Sequence, residues 1–337
     1  MPRETNNQRA TITEVAKYLD VSKSTVSRAF NRPRMLLPET VSRVREAAEI
    51  LGYSPSKTAM ALATGLHSTI ALVVPDIANP FFPRLIRAAQ SRANERGMSC
   101  LLGDSDEAAN RELEFVTEFT PDVRGFVLMS SRLPDETLRE LASKTKLVLI
   151  NRDVEGIMRV LLDTTVGLTE ALESLYSLGH RSFAYLGGPH RSWSHAQRLS
   201  AVQAFAASHA VSVNFGQAVP ATFAGGSAAA VEALSSDPTA FLCFDDVVAQ
   251  GAIAALSRLG FRVPQDISVV GCDDTLASTI HPTTATIRLD YQSAGSAAID
   301  LVLDVIDVES NGDATADAQR LVFDGEFLPG ETMGAAS

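Results

Sequence analysis

Carboxylate, amide and guanidinium side chains recur in this chain just after short apolar runs. Asp76, Asn79, Phe81 and Phe82 follow the run at 70–74. Asn151 and Arg152 follow 147–150, and Trp193 and Arg198 follow 183–186. Asp245 follows 240–244 and Asp273 follows 267–271, with Phe223 and Tyr291 as further aromatic candidates. Charged groups of this kind bind hydroxyls in pairs, and aromatic rings cover the apolar C–H face of a sugar-like ring. Each residue also has a structural alternative: Asp76 or Asp273 could cap a following helix, and Phe81 and Phe82 could be core.

A second chemistry lies near the start. Residues 11–31 read as two short helices with a tight turn at Asp20-Val21. Thr13 is the expected cap of the first helix, with Glu14 favourable in its first turn. Val15, Ala16 and Leu19 make one apolar face. Ser22 can cap the second helix, where Val26, Ala29 and Phe30 recur at helical spacing. Its other face carries Lys23, Ser24, Ser27 and Arg28, donors and cations suited to a major groove. A third helix is expected over about 38–51, with Pro38 at its first position and Gly52 at its stop.

Catalytic chemistry finds no such support. The chain has no Gly-x-Ser-x-Gly elbow, phosphate-binding P-loop, His-Glu-x-x-His or complete Gly-x-Gly-x-x-Gly. Its six histidines are scattered. Cys100, Cys243 and Cys272 are far apart in apolar runs and read as buried thiols, not as a disulfide frame or metal site. No metal and no cofactor is expected.

Net charge is −11 over 337 residues, which alone argues against nucleic acid. The charge is uneven, however. Residues 1–64 carry ten Lys/Arg against six Asp/Glu, and the remainder carries 19 against 34. A basic module on an acidic body is the footprint of a DNA reader that avoids loose adhesion. No run of about eighteen apolar residues exists, so no membrane span is expected. The polar first residues have no apolar core, so no signal peptide is expected and a cytoplasmic location follows.

From Ser68 onward apolar runs of strand length alternate with helix-length segments. The runs at 70–74, 99–102, 125–129, 147–150, 160–162, 183–186, 240–244 and 267–271 read as strands buried on both faces. Such alternation gives parallel sheets with helices on both sides. The length is too great for one comfortable core, so two lobes are expected. In open sheets of this kind ligands sit beyond the carboxyl ends of the strands, which is why the residues named first are the candidates.

Val21-Ser22-Lys23-Ser24-Thr25-Val26-Ser27-Arg28, then Asn31, Leu51-Gly52-Tyr53-Ser54-Pro55 and Ala59-Met60-Ala61-Leu62-Ala63, resemble the DNA-binding headpiece and hinge of the lactose-repressor and purine-repressor family. The body resembles that family's effector-binding core, itself like periplasmic sugar-binding proteins. Its signposts are 76–82, Asn151-Arg152-Asp153, Leu178-Gly179-His180-Arg181, Arg198, Asp245-Asp246 and 264–274. One departure is Asp245, where the family commonly has Asn; a carboxylate there disfavours a phosphorylated or otherwise anionic effector, although Arg152 and Arg198 pull the other way. Another is Leu37, which stands where the family has a polar cap before the third helix.

The resemblance implies a helix-turn-helix headpiece over 1–54, a hinge over 55–67 and an α/β core of two doubly wound parallel-sheet lobes over 68–337. Lobe one would take about 68–163 and 290–318, and lobe two about 164–288 and 320–334, with crossovers near Asp163, Leu289 and Gln319. Lys23 and Ser24 would reach base edges. Ser22, Thr25, Ser27, Asn31 and Tyr53 would hold phosphates, with Thr11, Arg28, Ser56 and Ala59 also at the DNA. Leu62 would be the wedge in a minor-groove step. The expected protein is a transcriptional regulator, a repressor by expectation, working as a homodimer on a near-palindromic operator. A sugar or sugar derivative, or next a nucleoside or purine, would be its effector. A sugar kinase with an N-terminal DNA-binding domain is the enzyme alternative, and it would need an ATP-phosphate loop.

Overall fold

The computed structural model describes residues 10–31, 33–53, 68–277, 279–311 and 318–336. The hinge candidates Ser56, Ala59 and Leu62 lie outside the described residues, as does the side chain of Asn31. The chain divides into two compact units, Met1–Ser68 and Thr69–Ser337.

The first unit is helical. α1 (Ile12–Leu19) and α2 (Lys23–Asn31) are followed by a short 3₁₀ turn at Pro33–Met35 and by α3 (Pro38–Leu51). The cap of α1 is Thr11, not Thr13. The reason is Glu14 three residues on: Thr11 Oγ1 accepts from the Glu14 N–H, and the Glu14 carboxylate accepts from the Thr11 N–H at 2.6 Å. This reciprocal capping box satisfies two orphan donors at once. Asp20 turns the chain at φ 53. Ser22 Oγ accepts from the Thr25 N–H at 3.1 Å and so opens α2. α3 begins at Leu37 without a side-chain cap and ends at Gly52, φ 66. Val15, Ala16, Val26, Ala29, Val44 and Ala47 form the core of the three helices. Phe30 packs edge-on against Tyr53, ring centroids 5.9 Å apart.

The second unit has two parallel sheets. Its elements are β1 (Thr69–Val74), α4 (Phe81–Glu95), β2 (Ser99–Asp104), α5 (Ala109–Phe119), β3 (Gly125–Met129), α6 (Asp135–Lys144), β4 (Leu147–Ile150) and β5 (Met158–Asp163). Then come α7 (Thr165–Ser177), β6 (Ser182–Gly187), α8 (Trp193–His209), β7 (Ser212–Gln217), α9 (Phe223–Ala233), β8 (Ala240–Cys243) and α10 (Asp246–Arg258). The last are β9 (Ser268–Val270), β10 (Thr286–Arg288), α11 (Tyr291–Asn311), β11 (Arg320–Asp324) and β12 (Glu326–Leu328).

The first sheet runs β11-β5-β4-β3-β1-β2 and the second β7-β6-β8-β9. Strand side chains alternate between two cores, as the two-residue period requires. Ile70, Leu72 and Val74 pack with α4 and α11, while Ala71 and Val73 pack with α5 and α6. In the second sheet Phe183 and Tyr185 face α7 and α8, and Ala184 and Leu186 face α9 and α10.

The chain passes between the lobes after β5, between β10 and α11, and after β11. The third passage is therefore at Gly325 and not near Gln319. β11 belongs to the first lobe because it extends that sheet, pairing Leu321 with Val160 and Phe323 with Leu162. Gly325 then passes so close to Ile287 that a Cβ would stand 2.6 Å from its methyl, and its N–H donates to the Asp163 carbonyl at 2.7 Å. β7 carries no continuous apolar run, because as the edge strand it is only partly covered.

Candidate effector cleft and DNA-binding face

The loops after the strands of both sheets meet around a cavity of about 180 Å³. From the first lobe it is lined by Asp76, Asn79, Phe81, Phe82, Glu107, Ser130 and Arg132. From the second it is lined by Ser192, Ser194, Arg198, Val219, Pro220, Thr222, Phe244, Asp245 and Asp273, among others. This is the position that the topology of open α/β sheets sets aside for ligands.

Arg198 is the second lobe's fixed cation. It stands on α8, whose start is set by Ser192 Oγ accepting from the His195 N–H. The Arg198 and Asp273 side chains are 4% and 5% exposed and form an ion pair at 2.7 Å. Arg198 also donates to the Phe244 carbonyl and to Thr164 Oγ1, and its guanidinium lies 4.9 Å from the Phe244 ring centre. Burial opposes its charge, but the Asp273 carboxylate, together with Asp245 and the other groups around it, outweighs burial and holds the pKa above the ordinary arginine value. Asp273 sits at φ 94, a left-handed backbone that costs a non-glycine residue free energy. It is held there from behind, since Tyr291 Oη donates to its carbonyl at 2.6 Å.

Asp245 caps α10, accepting the Val248 N–H at 2.8 Å. Its other oxygen accepts from Asn79 Nδ2 of the first lobe at 3.2 Å. Burial, and then the nearby Asp273 carboxylate, push its pKa up to about 7. Asp246 beside it is fully buried and structural. It accepts from the Thr275 and Leu276 N–H groups and from Thr286 Oγ1, and so shapes the loop after Asp273. Burial lifts its pKa to about 6.

In the first lobe Asn79 Oδ1 accepts from the Phe81 N–H and starts α4. Phe81 and Phe82 meet edge-on at 5.0 Å, offering aromatic walls. Arg132 is buried and forks onto Glu107 with bonds of 2.6 and 2.8 Å. Its own N–H donates to Glu112, whose carboxyl burial pushes upward.

The other expected contacts stand off the cavity wall. Asn151 is buried, with Oδ1 accepting from the Leu162 N–H, and so ties β4 to β5. Arg152 is drawn to the Leu133 carbonyl and Asp135. Trp193 is not in a loop but opens α8, half-buried. Phe223 opens α9 and is 48% exposed. Tyr291 supports Asp273 without lining the space. Glu107 and Arg132 were not among the expected residues, although they follow β2 and β3 and obey the same strand-end rule. Phe244 was hidden inside an apolar run.

On the helical unit, Thr11, Ser22, Lys23, Ser24 and Arg28 are exposed, while Thr25, Ser27 and Tyr53 are partly covered. The Ser22, Ser24 and Thr25 hydroxyls hydrogen-bond one another at the start of α2. That leaves a polar, cationic helix start above the Val26 and Ala29 core face, which can enter a groove and donate to phosphates. Among the described residues no cluster could hold a metal ion, and no helix is long and apolar enough to cross a membrane.

A three-helix module of this kind, in one chain with a two-lobed binding core, defines an effector-responsive DNA-binding regulator. The chain belongs to the lacI family of bacterial regulatory proteins. That family's model matches residues 11–56, and the model of a periplasmic binding protein-like domain matches 172–333. The regulator GalS of Salmonella typhimurium is 32% identical, over 87% of this chain and 89% of its own. The lac repressor dimer bound to operator and an anti-inducer superposes with a TM-score of 0.83 at 25% identity, covering 97% of this chain and all of that one. A CelR–cellobiose complex gives 0.71 at 26% identity, covering 96% of this chain and all of that one. All three relatives are named as transcriptional regulators or repressors.

Proposed function

We propose that this regulator is a dimeric, cytoplasmic repressor whose operator affinity is set by a small hydroxylated effector held between the lobes. The observation that carries the reading is the convergence of Asn79 from one lobe with Asp245, Arg198 and Asp273 from the other on one aromatic-walled cavity. Such a site closes on its ligand, and a ligand favouring one lobe arrangement shifts the whole population toward it. The cellobiose complex of CelR supports a sugar as the first choice of effector class. A nucleoside is the next.

At the DNA, Lys23 and Ser24 read base edges, and Ser22, Thr25, Ser27, Arg28, Asn31 and Tyr53 with Thr11 hold the backbone. Two such headpieces suit a near-palindromic operator, as the dimeric lac repressor's operator complex suggests. Leu62, with Ser56 and Ala59, is proposed as the minor-groove contact that links core to operator. A thermal-shift screen of the full chain against sugars, sugar derivatives and nucleosides tests the core reading. A true effector raises the melting temperature by mass action. Loss of that rise in Asp273→Asn is the expected result. A rise that this variant leaves untouched would place the ligand elsewhere.

A further inference from the structure

The charge inventory of the cleft is unequal. Four carboxylates line it, from Asp76, Glu107, Asp245 and Asp273, against two guanidiniums, from Arg132 and Arg198. Both guanidiniums are already engaged: Arg132 forks onto Glu107, and Arg198 is bound to Asp273. The Asp76 carboxylate accepts only from the Ala78 N–H among the described residues, and the Asp245 carboxylate from the Val248 N–H and the Asn79 amide. Neither has an ion-pair partner among the described residues. Asp245 is only 2% exposed, so water does little to offset its charge.

We infer that the effector carries a cationic nitrogen on a small hydroxylated body, with Asp245 as its counter-ion and Asp76 as a second acceptor. The inference rests on the effector reading of the cleft given above. An ammonium supplies the charge and the donors that the cavity lacks, and charge-assisted hydrogen bonds are roughly twice as strong as neutral ones. The rings of Phe81, Phe82 and Phe244 suit the same ligand, since aromatic faces accept both C–H groups and cations. A phosphate or carboxylate would face two unpaired carboxylates and find both guanidiniums occupied. Burial first, and then the Asp273 carboxylate, raise the Asp245 pKa to about 7. When an ammonium binds at neutral pH, the proton that Asp245 holds part of the time leaves to the buffer.

The test uses the full chain and matched pairs of probes at pH 7. These are glucosamine against glucose, galactosamine against galactose, and 3′-amino-3′-deoxyadenosine against adenosine, with glucose 6-phosphate as the anion. Calorimetry in two buffers of different ionisation heat reads the released proton. An amine should bind about ten-fold or more tightly than its hydroxyl parent. Asp245→Asn should remove that advantage and the proton release, so that amine and hydroxyl parent bind alike. Asparagine caps helices as well as aspartate does, so α10 keeps its start. No advantage for any amine, or tighter binding of the phosphate, overturns the inference while leaving the effector reading in place. Binding that Arg198→Lys and Asp273→Asn both leave unchanged overturns the reading of the cleft itself.

Discussion

Asn79 and Asp245 meet across the cleft, amide nitrogen to carboxylate oxygen at 3.2 Å, from opposite lobes of the core. Asn79 also starts α4 and Asp245 starts α10, so each lobe presents a helix start to the other. A ligand that enters between them touches both lobes at once.

The buried acid pair sets a pH dependence. Asp245 and Asp246 have pKa values raised to about 7 and about 6, against an ordinary 3.8. A carboxyl raised on folding binds more protons in the native state, so its contribution is full below pH 4 and lost as pH rises through the folded value. The unliganded protein should therefore lose stability between pH 5 and 8 relative to Asp245→Asn. Urea unfolding of both proteins at the two pH values checks this; parallel pH profiles would contradict it.

Breaking the buried pair should be costly. Asp273→Asn leaves the Arg198 charge buried and unpaired, and such a loss costs about 3–5 kcal/mol. Denaturant midpoints of wild type and variant measure it. A change below about 1 kcal/mol would mean that the Phe244 carbonyl and Thr164 alone satisfy the guanidinium.

Lys23→Ala should alter which half-site is preferred, since a good base contact gives about 1–3 kcal/mol of discrimination. Tyr53→Phe should weaken all sites alike. Selection from randomised operators separates the two, and an unchanged preference in the Lys23 variant would remove that residue from base reading.

Much of this was legible in the residues. Apolar runs buried on both faces marked most strands of both sheets, and strand ends located Asp76, Asn79, Arg198, Asp245 and Asp273. What periodicity could not show was decided by tertiary pairing. The edge strand β7 is polar, and β11 joined the first sheet only because β5 offered it a free edge. Thr11 outcompeted Thr13 as a cap through the reciprocal bond with Glu14. Arg152 looked like a ligand contact by position, but Asp135 and the Leu133 carbonyl hold it elsewhere. Spacing along a chain does not reveal which partner a long cation chooses.

On the proposed reading a ligand between the lobes controls the grip on DNA. The direct measurement is fluorescence anisotropy of a labelled operator bound to the full chain, titrated with a compound that raises the protein's melting temperature. Saturating ligand should change operator affinity by about 5–150-fold, the usual range of such coupling, and Asp273→Asn should abolish the change. Operator affinity that stays constant at saturation, with the ligand demonstrably bound in the cleft, would contradict the account.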